Sequence, residues 1–286
     1  MANLRDIRRR IKSVKNTGQI TKAMKMVSAA KLRRAEEEMM RSRPYSSTLE
    51  SVIASLVKRT DQKIHPLLCE REEKVVKIVV VTADRGLCGA FNTNLLRSAL
   101  KFIKEKQNSE KRVVVDIIGR KGRDFFKRRE FEIAKIWIGL SSKPAYDKAK
   151  EVADYELKMF YENSFDSLYL VYNEFKTLIS QKITFKRLIP VPVEESTSIF
   201  EERYIFEPSE DEILDNLLER YFSFTIYQAL LESFASEQGA RMAAMENATN
   251  SAKEMIDKLT LYANRVRQAG ITKELIEIVS GAQALS

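Results

Sequence analysis

Apolar positions recur every three or four residues at both ends of the chain and give way to short continuous runs in the middle. That change of period divides the sequence into helical ends and a different centre. Leu4, Ile7, Ile11 and Val14 make one helical face. The stripe shifts phase near Gly18 and resumes at Ile20, Met24 and Val27. Tyr45, Leu49, Val52 and Leu56 repeat the spacing, and Pro44 is expected to bend or interrupt the helix just before them. A continuous version would span roughly 85 Å.

Towards the other end, "PSEDE" sets Ser209 three residues before Glu212, the capping-box spacing that satisfies backbone donors at a helix start. From Met245, the positions Thr249, Ala252, Ile256, Leu259, Ala263, Val266 and Gly270 alternate steps of four and three, a repeat that drives supercoiling against a partner helix. After Gly270 the phase shifts once, and Leu275, Ile278, Ala282 and Leu285 continue the stripe. Nothing else of comparable length is available to pair with either end. The pattern therefore predicts one antiparallel coiled coil formed by 1–58 and 208–286, with Ile7, Ile11 and Val14 meeting Ala252, Ile256, Leu259, Ala263 and Val266 along its seam.

Residues 75–82 (VVKIVVVT), 113–119 (VVVDIIG) and 168–173 (LYLVYN) are β-branched or aromatic runs. Helix-like stretches at 92–107, 120–128 and 144–163 separate them, the alternation that builds a mostly parallel sheet with crossover helices. Residues 182–190 and 203–206 are expected to add strands, with Pro190 and Pro192 placing a turn after the first. An α/β domain over 74–206 is thus predicted to be inserted between two long helices.

Composition narrows the classes. With 31% charged residues, nine Gly and six Pro, the chain favours long regular elements. No apolar run reaches the eighteen or so residues of a membrane span, and the opening "MANLRDIRRRIKSVK" lacks the apolar core of a secretory signal. Cys69 and Cys88 suggest neither a disulfide framework nor a zinc site. The net charge of +9 is uneven: residues 1–60 hold 15 Lys/Arg against 5 Asp/Glu, and residues 207–286 hold 7 against 13. No acidic residue occurs between Arg8 and Arg34. Such a field implies an acidic partner, either nucleic acid, anionic lipid or an acidic protein surface.

Catalytic chemistry is poorly represented. "IVVVTADRGLCGAFN" at 78–92 has the strand–glycine–helix order of a phosphate loop, but the P-loop and dinucleotide spacings are absent. Gly86 and Gly89 are read as permitting a tight turn, with Asn92 or Thr93 capping the following helix. Asp84 and Arg85 are read as an ion pair shaping that turn or as a surface contact, and Cys88 as a small packed residue. The single histidine, His65, has no evident Cys or carboxylate partner. We expect no catalytic residue, no cofactor and no metal. Residues 1–44 contain no aromatic residue for base stacking, which weighs against a basic coiled-coil nucleic-acid-binding adaptor, the main alternative.

Three stretches carry a family likeness: "IKSVKNTGQITKAMKMVSAAKLRRA", "ADRGLCGAFN" and "SEQGARMAAMENATNSA" followed by "VRQAGITKELIEIVSGAQAL". In order and across the whole chain they resemble the gamma subunit of bacterial F-type ATP synthases. The resemblance implies a Rossmann-like α/β domain of about five strands between paired helices. It also implies a non-catalytic central rotor stalk, one copy per complex, that couples rotation of a membrane ring to ATP synthesis or hydrolysis in an alpha3beta3 ring, with the epsilon subunit and the c-ring as further partners. By the same resemblance Lys22, Met24 and Lys25 face an acidic loop of a beta subunit. Arg241, Arg267, Gln268 and Thr272 meet loops of the ring, and Ile278, Val279 and Ala282 turn in an apolar sleeve. A place on the cytoplasmic side of the bacterial cell membrane, peripheral to it, follows as an expectation.

Overall fold

The computed structural model describes residues 4–59, 65–142, 144–177, 180–192 and 210–284. Along the chain run α1 (Leu4–Arg59), β1 (Val75–Val81), α2 (Phe91–Asn108), β2 (Arg112–Ile118), α3 (Arg120–Phe126), β3 (Ile133–Trp137), α4 (Tyr146–Tyr161), β4 (Ser167–Phe175), β5 (Gln181–Ile189) and α5 (Glu210–Ala284). Two compact units result, one of residues 29–241 and the other of residues 1–28 with 242–286.

The larger unit is built on a sheet of order β3-β2-β1-β4-β5, parallel except for β5, which runs antiparallel to β4. Alternation along the strands feeds two cores. Val76, Ile78 and Val80 of β1 face Leu95, Ala99 and Ile103 of α2 and Phe126 of α3. Val79 and Val81 face the opposite layer, made by Val152 and Phe160 of α4, Leu49, Ile53 and Leu56 of α1, and Leu214, Leu218 and Phe222 of α5. Pro44 lies inside α1, which continues past it to Arg59. β3 was not foreseen: "IAKIW" is short, carries Lys135 and pairs with β2 through a register shift, so neither length nor alternation marks it. The strand expected at 203–206 and the cap residue Ser209 lie outside the described residues.

Charge is also buried here. Lys77 of β1, 3% exposed, places Nζ 2.9 Å from Asp116 of β2 and 2.9 Å from Glu156 of α4, both fully buried. Burial, reinforced by Asp116, pushes the Glu156 carboxyl well above its ordinary range. One buried ammonium thus stands between two buried carboxyls, and burial disfavours ionising both at once. Tyr155 and Phe165 close over the ammonium at 4.7 and 5.2 Å. Among the described residues, Glu232 of α5 has no lysine or arginine in salt-bridge contact, and its buried Oε2 has no hydrogen-bond partner. Burial first, then Glu174, raise its pKa to about 7 against the pull of Lys186, Lys176 and Arg43.

In the smaller unit two helical segments pair in opposite directions. Thr21 and Thr249 hydroxyls are 2.7 Å apart, Lys25 Nζ is 2.6 Å from Glu246 Oε1, and a Cβ on Gly18 would sit 3.4 Å from that of Ala252. The seam on α5 follows the predicted repeat, with Ala252 buried and Ile256, Leu259, Ala263, Val266 and Gly270 half-buried. On α1 it departs from expectation. Ile20 and Val27 are 60% and 56% exposed, and the seam runs in unbroken heptad steps from Ile7, Ile11 and Val14 through Gly18, Thr21 and Ser28. The phase shift near Gly18 does not occur, because small and hydroxyl residues take the inward positions and let the backbones approach. Past Gly270, every residue from 271 to 283 is exposed.

Two outcomes follow. Gly18→Ala fits the available space and is expected to stabilise by about 1 kcal/mol, whereas Gly18→Leu overpacks the seam at a cost of about 1–3 kcal/mol. Thermal unfolding of the two variants should move in opposite directions. For Glu232, the folded pKa near 7 exceeds its unfolded value of 4.5, so the folded state holds the extra proton and stability falls as pH rises through that window. The loss is on the order of 3 kcal/mol, and Glu232→Gln should flatten this part of the pH profile in urea unfolding.

Candidate functional site

In an open α/β sheet, ligands sit beyond the carboxyl ends of the strands where strand order reverses, here beside β1 and β4. The loop after β1 fills that position. Thr82 Oγ1 donates to Ile118 O and accepts from Gly122 N, tying β1 to the start of α3. Gly119, at φ 99°, could carry no Cβ, because the atom would lie 2.2 Å from Thr82 O. Asp84 accepts from the amides of Arg120 and Gly139 and from Ser141 Oγ. It therefore spans three segments and makes no ion pair with Arg85, which is exposed. Asn92 is not a helix cap. It accepts from Ala83 N and donates to Cys88 Sγ, fastening the loop instead, and α2 begins without a side-chain cap. Leu87 and Gly89 both take positive φ, 64° and 58°.

The crevice itself is occupied by α5. Ala240 packs on Ala83, Cys88 and Phe91, and Ser236 Oγ donates to Asn173 O at the end of β4. Arg241 Nη2 donates to Gly86 O at 3.3 Å and pairs with Glu237 Oε1 at 2.6 Å. Glu237 is 5% exposed and its carboxyl is raised by burial, with Arg241 and Lys31 opposing and Asp84 assisting. Cys88 is buried and its thiol is raised by that burial, the opposite of activation. Where a phosphate loop offers amides to a ligand, this loop offers a carbonyl to the chain's own arginine.

His65 does have a carboxylate partner, Asp215 of α5, with Nε2 3.1 Å from Oδ1. Nδ1 accepts from Leu67 N, so Nε2 carries the proton. Burial lowers its pKa, opposed by Asp215 and Glu219. This pairing joins residues 150 positions apart in sequence, beyond any local signal. It fixes the chain after α1 to the start of α5.

The residues that sequence reading placed against a ring fall into two groups. Lys22 is exposed, and so are Arg267, Gln268, Thr272, Ile278, Val279 and Ala282. Thr272 Oγ1 is spent on Gln268 O, and Ile278 and Val279 are 68% and 55% exposed. Met24 and Lys25 are half-buried, Lys25 being paired with Glu246, and Arg241 is turned inward at 8% exposure. The exposed group lies along the helices of the smaller unit and at the far end of α5. Sequence reading missed Glu237, Glu246 and Gly86 as partners. The four-residue step from Glu237 to Arg241 was the one local signal.

Comparison with known proteins gives this arrangement its context. Residues 3–285 match the ATP synthase family. An ATP synthase gamma chain of Solibacter usitatus is 50% identical over 99% of both chains, and one of Pelotomaculum thermopropionicum is 49% identical over 100% of both. In fold, the chain is similar to one in the rotor of Euglena gracilis mitochondrial ATP synthase in rotational state 1, with TM-score 0.67 and 22% identity over 94% of this chain and 98% of that one. A chain of the OSCP/F1/c-ring assembly from the same organism gives TM-score 0.69 and 20% identity, covering 99% and 94%. With half its residues shared over its full length, the chain belongs to the family of ATP synthase gamma chains.

Proposed function

We propose that this chain is the central rotor stalk of a bacterial F-type ATP synthase. It performs no chemistry itself and couples proton-driven rotation of a membrane c-ring to ATP synthesis, or hydrolysis, in an alpha3beta3 ring. The full-length identity with gamma chains carries this reading. The paired helices α1 and α5 act as the shaft inside the ring. The α/β domain of 74–206 is the base, in contact with the epsilon subunit and the c-ring. One asymmetric shaft cannot meet three equivalent subunits alike, so each orientation favours a different nucleotide affinity in each. The subunit is peripheral to its membrane, on the cytoplasmic side, and no helix among the described residues is long and apolar enough to cross it.

The exposed run from Ile271 through Leu275, Ile276, Ile278 and Val279 supports an apolar sleeve around the tip of α5, since a broad apolar face on a lone helix is poorly solvated. Lys22, exposed in an all-basic stretch, supports contact with an acidic loop of the ring.

Co-purification with alpha and beta subunits tests the central claim: ring ATP hydrolysis should depend on the chain, and failure to bind the ring would end it. Ala282→Lys would bury an unpaired charge in the sleeve and should impair assembly or turnover, read by ATPase yield. Lys22→Glu should lower proton-driven ATP synthesis several-fold. It is the cleaner choice over Lys25→Glu, which would also set two carboxylates together at Glu246.

A further inference from the structure

The family likeness puts Arg241 against the ring, yet its guanidinium is directed into its own domain. Both members of the Glu237–Arg241 pair are buried, at 5% and 8% exposure, and the second bond of Arg241 goes to the backbone oxygen of Gly86. A buried arginine with two internal partners is held by its surroundings, because withdrawing it would leave the Glu237 carboxylate buried without its cation.

The loop that receives it is itself braced. Asp84 fixes one side through three bonds, Asn92 fixes the other, and Leu87 is held at φ 64°, a conformation that a bulky residue keeps only where its neighbours enforce it. Arg241 also stands at a particular place along α5. The sheet-bearing unit ends at Arg241 and the other unit resumes at Met242. Among the described residues, the preceding polar tie from α5 to the end of a strand is Ser236 to Asn173 O, more than a turn earlier.

We propose that Arg241 is a positioning residue that clamps α5 to the β1–α2 loop, so that twist applied to the sheet domain enters the helix at this point rather than being absorbed in its own last turns. The proposal rests on the stalk reading and changes the role of one residue within it. Arg241 acts through Glu237 and Gly86, and the ring feels it only as stiffness. Without the guanidinium the last polar tie from α5 to the sheet and its loops retreats to Ser236, and the length of helix without such a tie grows.

The complete ATP synthase in proteoliposomes tests this, with Arg241→Gln, Arg241→Lys and Glu237→Gln beside the wild type. Arg241→Gln should keep ATP hydrolysis by the ring near wild type, lower proton-driven ATP synthesis several-fold, and widen the angular fluctuation of a bead attached to the base while the ring is held fixed. Arg241→Lys, which keeps a cation for Glu237, should recover part of both. Parallel loss of hydrolysis and synthesis would assign Arg241 to the ring, and unchanged coupling with unchanged fluctuation would remove the clamp. If Arg241→Gln fails to assemble, Glu237→Gln, which leaves the bond to Gly86, should show the same split in milder form, and wild-type coupling there overturns the proposal. A wild-type chain that never activates the ring would instead sink the stalk reading itself.

Discussion

One helix passes through three environments, and the rest of the architecture answers to that. From residue 221 to 241, α5 is buried on nearly every side. From 242 the cover narrows, from 250 to 270 only one stripe in each heptad is covered, and from 271 to 283 nothing within the described chain covers it. Backbone hydrogen bonds keep it continuous, but its side chains must suit core, seam and open surface in turn. The helical pairing, the filled crevice and the bare tip each follow from where α5 happens to be.

This graded burial explains how a nucleotide-type sheet comes to do mechanical work. The reversal of strand order between β1 and β4 creates a crevice in any such fold. Here residues 232–241 of α5 lie across it, and the polar groups that a ligand would use are taken: Asp84 by three donors, Asn92 by Ala83 and Cys88, the Gly86 carbonyl by Arg241. Fold and function separate at this point, the same scaffold serving as a socket for a helix.

Much of this was legible in the sequence, and the parts that were not share a cause. β1, β2 and β4 announce themselves because strands buried on both faces read as unbroken apolar runs. β3 does not, being a short edge strand with a lysine. The α5 seam is plain because Ile256, Leu259 and Val266 fill it, while its α1 counterpart hides behind Gly18, Thr21 and Ser28, which a search for apolar residues discards. Lys77 inside β1 and Glu156 on α4 look like ordinary surface charges until the fold sets the lysine against both Glu156 and Asp116. Arg241 was visible as a residue of interest, but backbone carbonyls carry no sequence signature, so its attachment to Gly86 could only be seen in three dimensions.

The hydroxyl pair of Thr21 and Thr249 has a consequence for sliding. One hydroxyl donates to the other, and the one that accepts is left to donate to a carbonyl of its own helix, Gly18 O for Thr21 or Met245 O for Thr249, so the pair forms a short polar bridge about one turn from the Lys25–Glu246 pair. If one helix moved lengthwise past the other by a turn, the pair would separate and Gly18 would face a larger neighbour than Ala252. The bridge thus works like the pin of a telescoping tube, fixing how far the two segments overlap while adding little to the force that holds them together.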